Sequence, residues 1–184
     1  VTNTVVMQVF IALVEAIGES GLKATATGNL PLKFCKALAQ QLREKEDENG
    51  TRLLLIGGIR SETDLEVLHC TRLVAQLAGL IRKYRGKFVL TRKCHDMLAR
   101  EDYGSLYFEL FMAYSTKFNW GYRDGYSEAK IVQLSFLYTL FLLAKYGDVQ
   151  RSQKFYEDKF LTAFPMALEM FPEPSFSSAE EDAR

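Results

Sequence analysis

The stretch "AGLIRKYRGKFVLTRKCHDML" (residues 78–98) decides how this chain is read. Gly79 closes an apolar periodic run, as a helix stop does. "LIRKY" and "KFVL" are β-prone pieces joined by a tight turn containing Gly86. Thr91 then stands where an N-cap belongs, opening a helix to about Ala99. A hairpin set between helices predicts a helical domain carrying a small basic wing.

Upstream, "SETDLEVLHCTRLVAQLAG" (61–79) reads as a helix whose start offers two capping boxes, Ser61 with Asp64 and Thr63 with Glu66. Val67, Cys70, Val74 and Leu77 share its expected apolar face. Residues 5–17 predict a first helix, with Val6, Val9, Phe10, Leu13 and Ile17 inward and Gly18 near its end. "GLKATATGNLPLKFCKALAQQL" (21–42) passes from an extended piece into a second helix, with Asn29 and Pro31 at its start. "LKATATGNL" (22–30) and "FVLTRKCHD" (88–96) echo one another: each has an extended lead-in, a Thr and a small residue three positions on. The echo suggests one strand-to-helix corner used twice. The run "REKEDENG" (43–50) is a solvated helix end and linker.

Downstream, Tyr103, Leu106, Tyr107, Leu110, Phe111, Tyr114 and Phe118 keep helical spacing over four turns. "NWGYRDGY" (119–126) reads as an aromatic turn. "IVQLSFLYTLFLLA" (131–144) is too short for a membrane span and predicts a buried core helix. Val149, Gln153, Tyr156 and Phe160 mark another helix. Pro165, Pro172 and Pro174 end regular structure before a polar, acidic tail.

The expected fold is mainly α, a winged-helix-like N-terminal half with a small β-hairpin packed with a C-terminal helical bundle. The expected limits are 1–101 for the winged-helix-like region, 102–172 for the bundle as part of one compact unit, and 173–184 for a mobile tail. A chain of 184 residues, 48% hydrophobic, buries enough surface to fold without disulfides or metal. Three scattered cysteines (Cys35, Cys70, Cys94) fit a reducing interior. With no basic leader before the apolar residues of 1–20, a cytoplasmic location is expected and no membrane partner. The chain opens on Val1, so a fragment of a longer protein stays open, as does the oligomeric state.

"GLKATATGNLPLKFCKAL", "LAGLIRKYRGKFVLT" and the "FNWGYRDGY" turn, with the helices around them, give the chain a resemblance over roughly residues 10–165. It resembles the C-terminal region of an uncharacterised family of plasmid and mobile-element proteins, grouped with an open reading frame of the Ri plasmid. The resemblance implies a winged-helix-like α domain of unknown activity, often preceded by an additional N-terminal domain. After the "LT" corner, this chain has Cys94 where that family usually has Gly. The resemblance carries over no functional residue.

The net charge of zero hides a gradient. Residues 51–100 hold ten cations against four acids, residues 1–50 five against six, and residues 101–184 eight against thirteen. Arg82, Lys83, Arg85, Lys87, Arg92 and Lys93 crowd into twelve residues and, with Arg72 on the preceding helix, form the candidate polyanion contact. Such cations grip phosphates in a salt-dependent way. The helix beside them is poorly suited to reading bases, since Asp64 and Glu66 sit at its N-terminal end. His69-Cys70 and Cys94-His95 are soft ligands, but helix neighbours point about 100° apart and the spacing fits no common zinc pattern. No metal and no cofactor is expected. The chain lacks a phosphate-binding glycine loop, a G-x-S-x-G elbow and an H-E-x-x-H pair. Acid–base work would fall to carboxylates such as Asp124 or Glu128, although Asp124-Gly125 more simply makes a turn; Trp120, Tyr122 and Tyr126 could line a pocket, but aromatics at helix junctions more often pack. No catalytic residue is assigned. The leading expectation is a non-enzymatic interaction module whose partner is a nucleic-acid backbone or an acidic protein surface. The alternatives are a winged-helix DNA-binding regulator and a hydrolase or nuclease whose site the sequence does not reveal.

Overall fold

Local chemistry sets the ends of the helices. The computed structural model describes residues 1–49, 58–124 and 130–170. The chain divides into two units, Val1–Phe118 and Asn119–Arg184.

The first unit opens with α1 (Val5–Ile17), ended by Gly18 at a positive φ of 50°. Its buried face is Met7, Val9, Phe10, Leu13 and Ile17, with Met7 where Val6 was expected. A two-residue strand β1 (Leu22–Lys23) leads to α2 (Leu32–Asn49), entered through Pro31, whose carbonyl accepts from Phe34 and Cys35. The charged run 43–50 is therefore helical to Asn49, and Gly50 lies outside the described residues.

Of the two capping boxes, the Asp64 one forms. The Asp64 carboxylate accepts from the Ser61 and Arg60 N–H groups at 2.9 and 2.8 Å. It caps a 3₁₀ turn, Glu62–Asp64, and the chain breaks at Leu65 before α3 (Glu66–Leu77). α3 ends in a Schellman arrangement. Gly79 takes φ 71°, its N–H donates to the Gln76 carbonyl and the Leu80 N–H to that of Ala75.

Next come β2 (Ile81–Tyr84) and β3 (Lys87–Leu90), then α4 (Arg92–Ala99), whose Cys94 N–H donates to the Thr91 hydroxyl at 3.2 Å. The same hydroxyl donates to the Gly79 carbonyl, fastening the helix start to the turn before β2. α5 (Tyr103–Thr116) follows, and it packs within this unit against α3 and α4. The sheet order is β1-β3-β2, antiparallel throughout. Helix, strand, helix, helix, hairpin is a winged-helix-like order.

The echo between 22–30 and 88–96 has a physical counterpart. Both lead-ins are strands, and they pair with each other, Leu22 opposite Phe88. The corners differ, because Thr91 caps a helix directly whereas the Thr25 hydroxyl accepts from the Asn29 N–H across a turn.

In the second unit the apolar run does not form one buried helix. It splits into α7 (Lys130–Leu134) and α8 (Phe136–Tyr146) at Ser135, whose hydroxyl donates to the Ile131 and Val132 carbonyls and competes with the helix ladder. Leu142 is buried, but Leu134 and Leu137 are 79% and 76% exposed, and Phe141 and Leu143 are also exposed. A run apolar on all sides has more faces than the described helices of this unit cover. The unit also contains a short α6 (Gly121–Asp124) where the aromatic turn was expected, and α9 (Gln153–Ala163), capped by Ser152. Pro165 opens a 3₁₀ turn, Pro165–Met170. Pro172, Pro174 and the expected mobile tail lie outside the described residues.

Candidate functional site

The hairpin turn is Arg85-Gly86, with φ 48° and 74°. Two successive positive φ values are what a two-residue hairpin of type I′ requires. Side chains then alternate between faces. Ile81 and Phe88 are buried on the inner face, and Leu22 lies opposite Phe88. The outer face presents Arg82, Tyr84, Lys87 and Val89, with Arg82 opposite Val89 and Tyr84 opposite Lys87. Register with β1 adds Lys23, directly opposite Lys87 and exposed. Like charges placed opposite one another in a sheet repel. Lys23 was missed by sequence reasoning, because only the β1–β3 pairing brings it to this face.

The seven cations expected at the site separate into groups. Arg82 and Arg85 each lie 5.2 Å from the Tyr84 ring centroid, and neither has a carboxylate partner among the described residues. Arg92 is 94% exposed, with Asp96 of its own helix at 3.8 Å. Lys87 and Lys83 fasten the wing. Lys87 donates to the Ser20 carbonyl at 3.0 Å and Lys83 to that of Gly28 at 2.8 Å. Lys93 is neutralised by Glu109 at 2.7 Å.

Arg72 is corrected outright. It is 6% exposed, its Nε donates to Glu62 at 2.6 Å, and it lies over the Phe88 ring, so it cannot reach a phosphate.

Arg72 belongs instead to a buried polar cluster that sequence reasoning missed. Glu62, 1% exposed, accepts at Oε1 from Arg72 and shares a 2.8 Å hydrogen bond with His69 Nδ1; its Oε2 accepts from the Leu30 N–H at 2.5 Å. The Arg72 guanidinium also donates to Gln76. Burial works against the ionised carboxyl. Hydrogen bonds from His69, Leu30 and Arg72 outweigh it and hold Glu62 below its ordinary value. The signal existed: positions 62, 65, 69, 72 and 76 keep alternate three- and four-residue spacing, so the polar residues lie in phase with Leu65. The cluster ties the entry of α2 to α3 beneath the sheet.

α3 itself is enclosed. Leu68, His69, Thr71, Arg72, Val74 and Ala75 are buried, and α1 and α5 both pack on it. The expected apolar face is displaced: Val74 is buried, whereas Leu77 is 41% exposed. Its exposed positions, Glu66 and Leu77, include no cation for base edges.

The remaining sequence candidates do not assemble a reactive centre. Burial, with a contribution from the Glu62 charge, pushes the Cys35 thiol up to about 11; burial alone does the same to Cys94. Among the described residues no three His, Cys, Asp or Glu side chains converge as metal ligands. Trp120 packs edge to face on Phe136 at 5.3 Å, and its backbone N–H donates to the Gln133 side-chain oxygen. Tyr126 and Glu128, and the side chain of Asp124, lie outside the described residues. No described helix is long and apolar enough to cross a membrane.

The family described as "Y4jL N-terminal domain" matches residues 2–103, more than half of the chain. The chain belongs to the Y4jL N-terminal domain family. The matched span runs from the start of α1 to the start of α5 and contains the wing and the Glu62 cluster. The family is thus defined as an N-terminal domain, whereas the resemblance drawn from sequence was to a C-terminal region. No curated protein and no solved structure matches the chain.

Proposed function

We propose that this Y4jL-type domain is a non-enzymatic interaction module. The outer face of its wing is the contact surface for a polyanion, either a nucleic-acid backbone or an acidic protein face. The observation that carries the reading is the sheet face itself: Lys23 opposed to Lys87, with Arg82 and Arg85 on the Tyr84 ring, exposed and without acidic partners among the described residues. An anion across that face relieves the repulsion and uses both guanidinium groups. The burial of α3 and the position of Arg72 within it weigh against sequence reading by that helix, so contact is with backbone charge rather than base edges. The resemblance to plasmid and mobile-element proteins makes such an origin part of the proposal, and the scattered free cysteines fit a cytoplasmic setting.

Fluorescence anisotropy of the whole chain against a labelled duplex and a labelled acidic peptide tests this. With two to four contacts to duplex, log affinity falls against log salt with a slope of roughly −2 to −4. The double variant Arg82→Gln/Arg85→Gln flattens that slope by about 2 if both residues touch phosphate. Binding to neither probe at low salt, or binding unaltered in the double variant, removes the proposal.

A further inference from the structure

The second unit carries a different concentration of charge. α8 ends at Tyr146 and α9 begins at Gln153, and the turn between them sets the Tyr146 and Phe155 rings edge to face at 5.3 Å. Three cations close on this pair. Lys145 Nζ, Lys159 Nζ and Arg151 Cζ lie 5.3, 4.8 and 5.6 Å from the Tyr146 centroid. Arg151 and Lys159 also lie 4.6 and 4.9 Å from that of Phe155. One ring thus gathers three positive charges. Arg151 is held in place by donating from Nε to the Tyr146 carbonyl at 3.2 Å, an oxygen that the Tyr156 hydroxyl also approaches at 3.4 Å.

Like charges gathered around one ring repel, and the ring faces, including that of Phe141 at 5.5 Å from Lys145 Nζ, offset only part of that repulsion. Among the described residues no carboxylate pairs with any of the three. Glu157 accepts from Gln153, and Asp158 faces Lys154. Desolvation opposes it, yet Lys145 and Lys159 hold the Tyr146 phenol below its ordinary value. The cations already cover the rings, which disfavours a stacked base and favours a small, multiply charged anion bridging them. Two ammonium point charges and one planar guanidinium fork suit a tetrahedral oxyanion.

We infer that Lys145, Arg151 and Lys159, gathered on Tyr146 and Phe155, form a binding site for a phosphomonoester dianion, independent of the wing. The phosphate is either free in solution or the headgroup of a lipid; the site's chemistry is the same for both.

The test is a phosphorus NMR and calorimetric titration of the whole chain with inorganic phosphate, at ionic strength fixed with chloride. Flotation with phosphatidylcholine vesicles, with and without phosphatidic acid, runs in parallel. Saturable phosphate binding is expected, weakened roughly two- to fivefold by each of Lys145→Gln, Arg151→Gln and Lys159→Gln. Arg82→Gln/Arg85→Gln leaves it unaltered, which separates this site from the wing. Phosphate binding without flotation assigns a soluble ligand; flotation that requires phosphatidic acid and is competed by phosphate assigns the headgroup. Both uphold the site. Absence of saturation and of flotation, or binding untouched by the three variants, overturns it. Lys145 and Arg151 are exposed and Lys159 is half-buried, and unchanged circular dichroism of each variant excludes unfolding as the cause.

Discussion

Removing the Glu62 carboxylate leaves a buried cation without its anion. In Glu62→Ala the Arg72 guanidinium stays buried, its side chain 7% exposed, without its anion, and the Leu30 N–H loses its acceptor. Breaking a buried ion pair from one side costs about 3–5 kcal/mol. Arg72→Met removes the cation but leaves the carboxylate two partners, His69 and Leu30, so its loss is smaller, about 2–3 kcal/mol on the same scale. In Glu62→Leu/Arg72→Met no net charge stays buried. The residual loss is that of the orphaned Leu30 N–H and the His69 ring, about 1–3 kcal/mol. The double variant is therefore more stable than Glu62→Ala, because the losses of two partners in one buried ion pair do not add. Because the chain has two units, a single global melt would mix them. Hydrogen exchange of the α3 amides reads the first unit specifically. A Glu62→Ala loss below about 1 kcal/mol, or strict additivity in the double variant, refutes the cluster as the anchor of α3.

The same carboxylate sets a pH dependence. Its folded value is depressed, so its contribution is full above the ordinary carboxylate value and lost as pH falls through that value towards the folded one. Asp64 and Asp102, lowered by the Arg60 and Ser105 N–H groups respectively, act in the same direction; acid titration of α3 and α5 exchange rates checks it. Gly21→Ala puts a Cβ 3.0 Å from the Phe88 carbonyl oxygen at φ 76°, so β1 separates from β3 and urea denaturation shows a loss of about 1–2 kcal/mol. Arg85→Asn, at φ 48° in the turn, raises stability by roughly 0.5–1 kcal/mol while weakening polyanion binding, so melts and anisotropy move in opposite directions. At neutral pH a thiol reagent modifies Cys70 before Cys35 and Cys94, which mass spectrometry resolves.

The candidate site was legible in outline. The cations of 82–93 are adjacent in sequence, so a reader finds them; which of them remain uncommitted is decided by groups far along the chain. Lys83 reaches a carbonyl 55 positions away and Lys87 one 67 positions away, whereas Arg82 and Arg85 both lie over the Tyr84 ring between them. Arg72 was misassigned for the same reason. A helix position looks exposed or buried only by its phase, and the polar residues at 62, 69, 72 and 76 disguised the inward phase of α3.

What the sequence by itself determined is the order and punctuation of elements in the first unit. Gly18, Gly79, Thr91 and the Arg85-Gly86 turn act through hydrogen bonds and dihedral limits spanning a few residues, and those forces are written locally. Only the tertiary structure decided that α5 closes over α3, that Lys23 joins the wing, that Glu62 lies beneath Leu30, and that Leu134 of α7 and Leu137 of α8 stay uncovered. Burial depends on which surfaces remain after all the others have packed, and no short window of sequence contains that information.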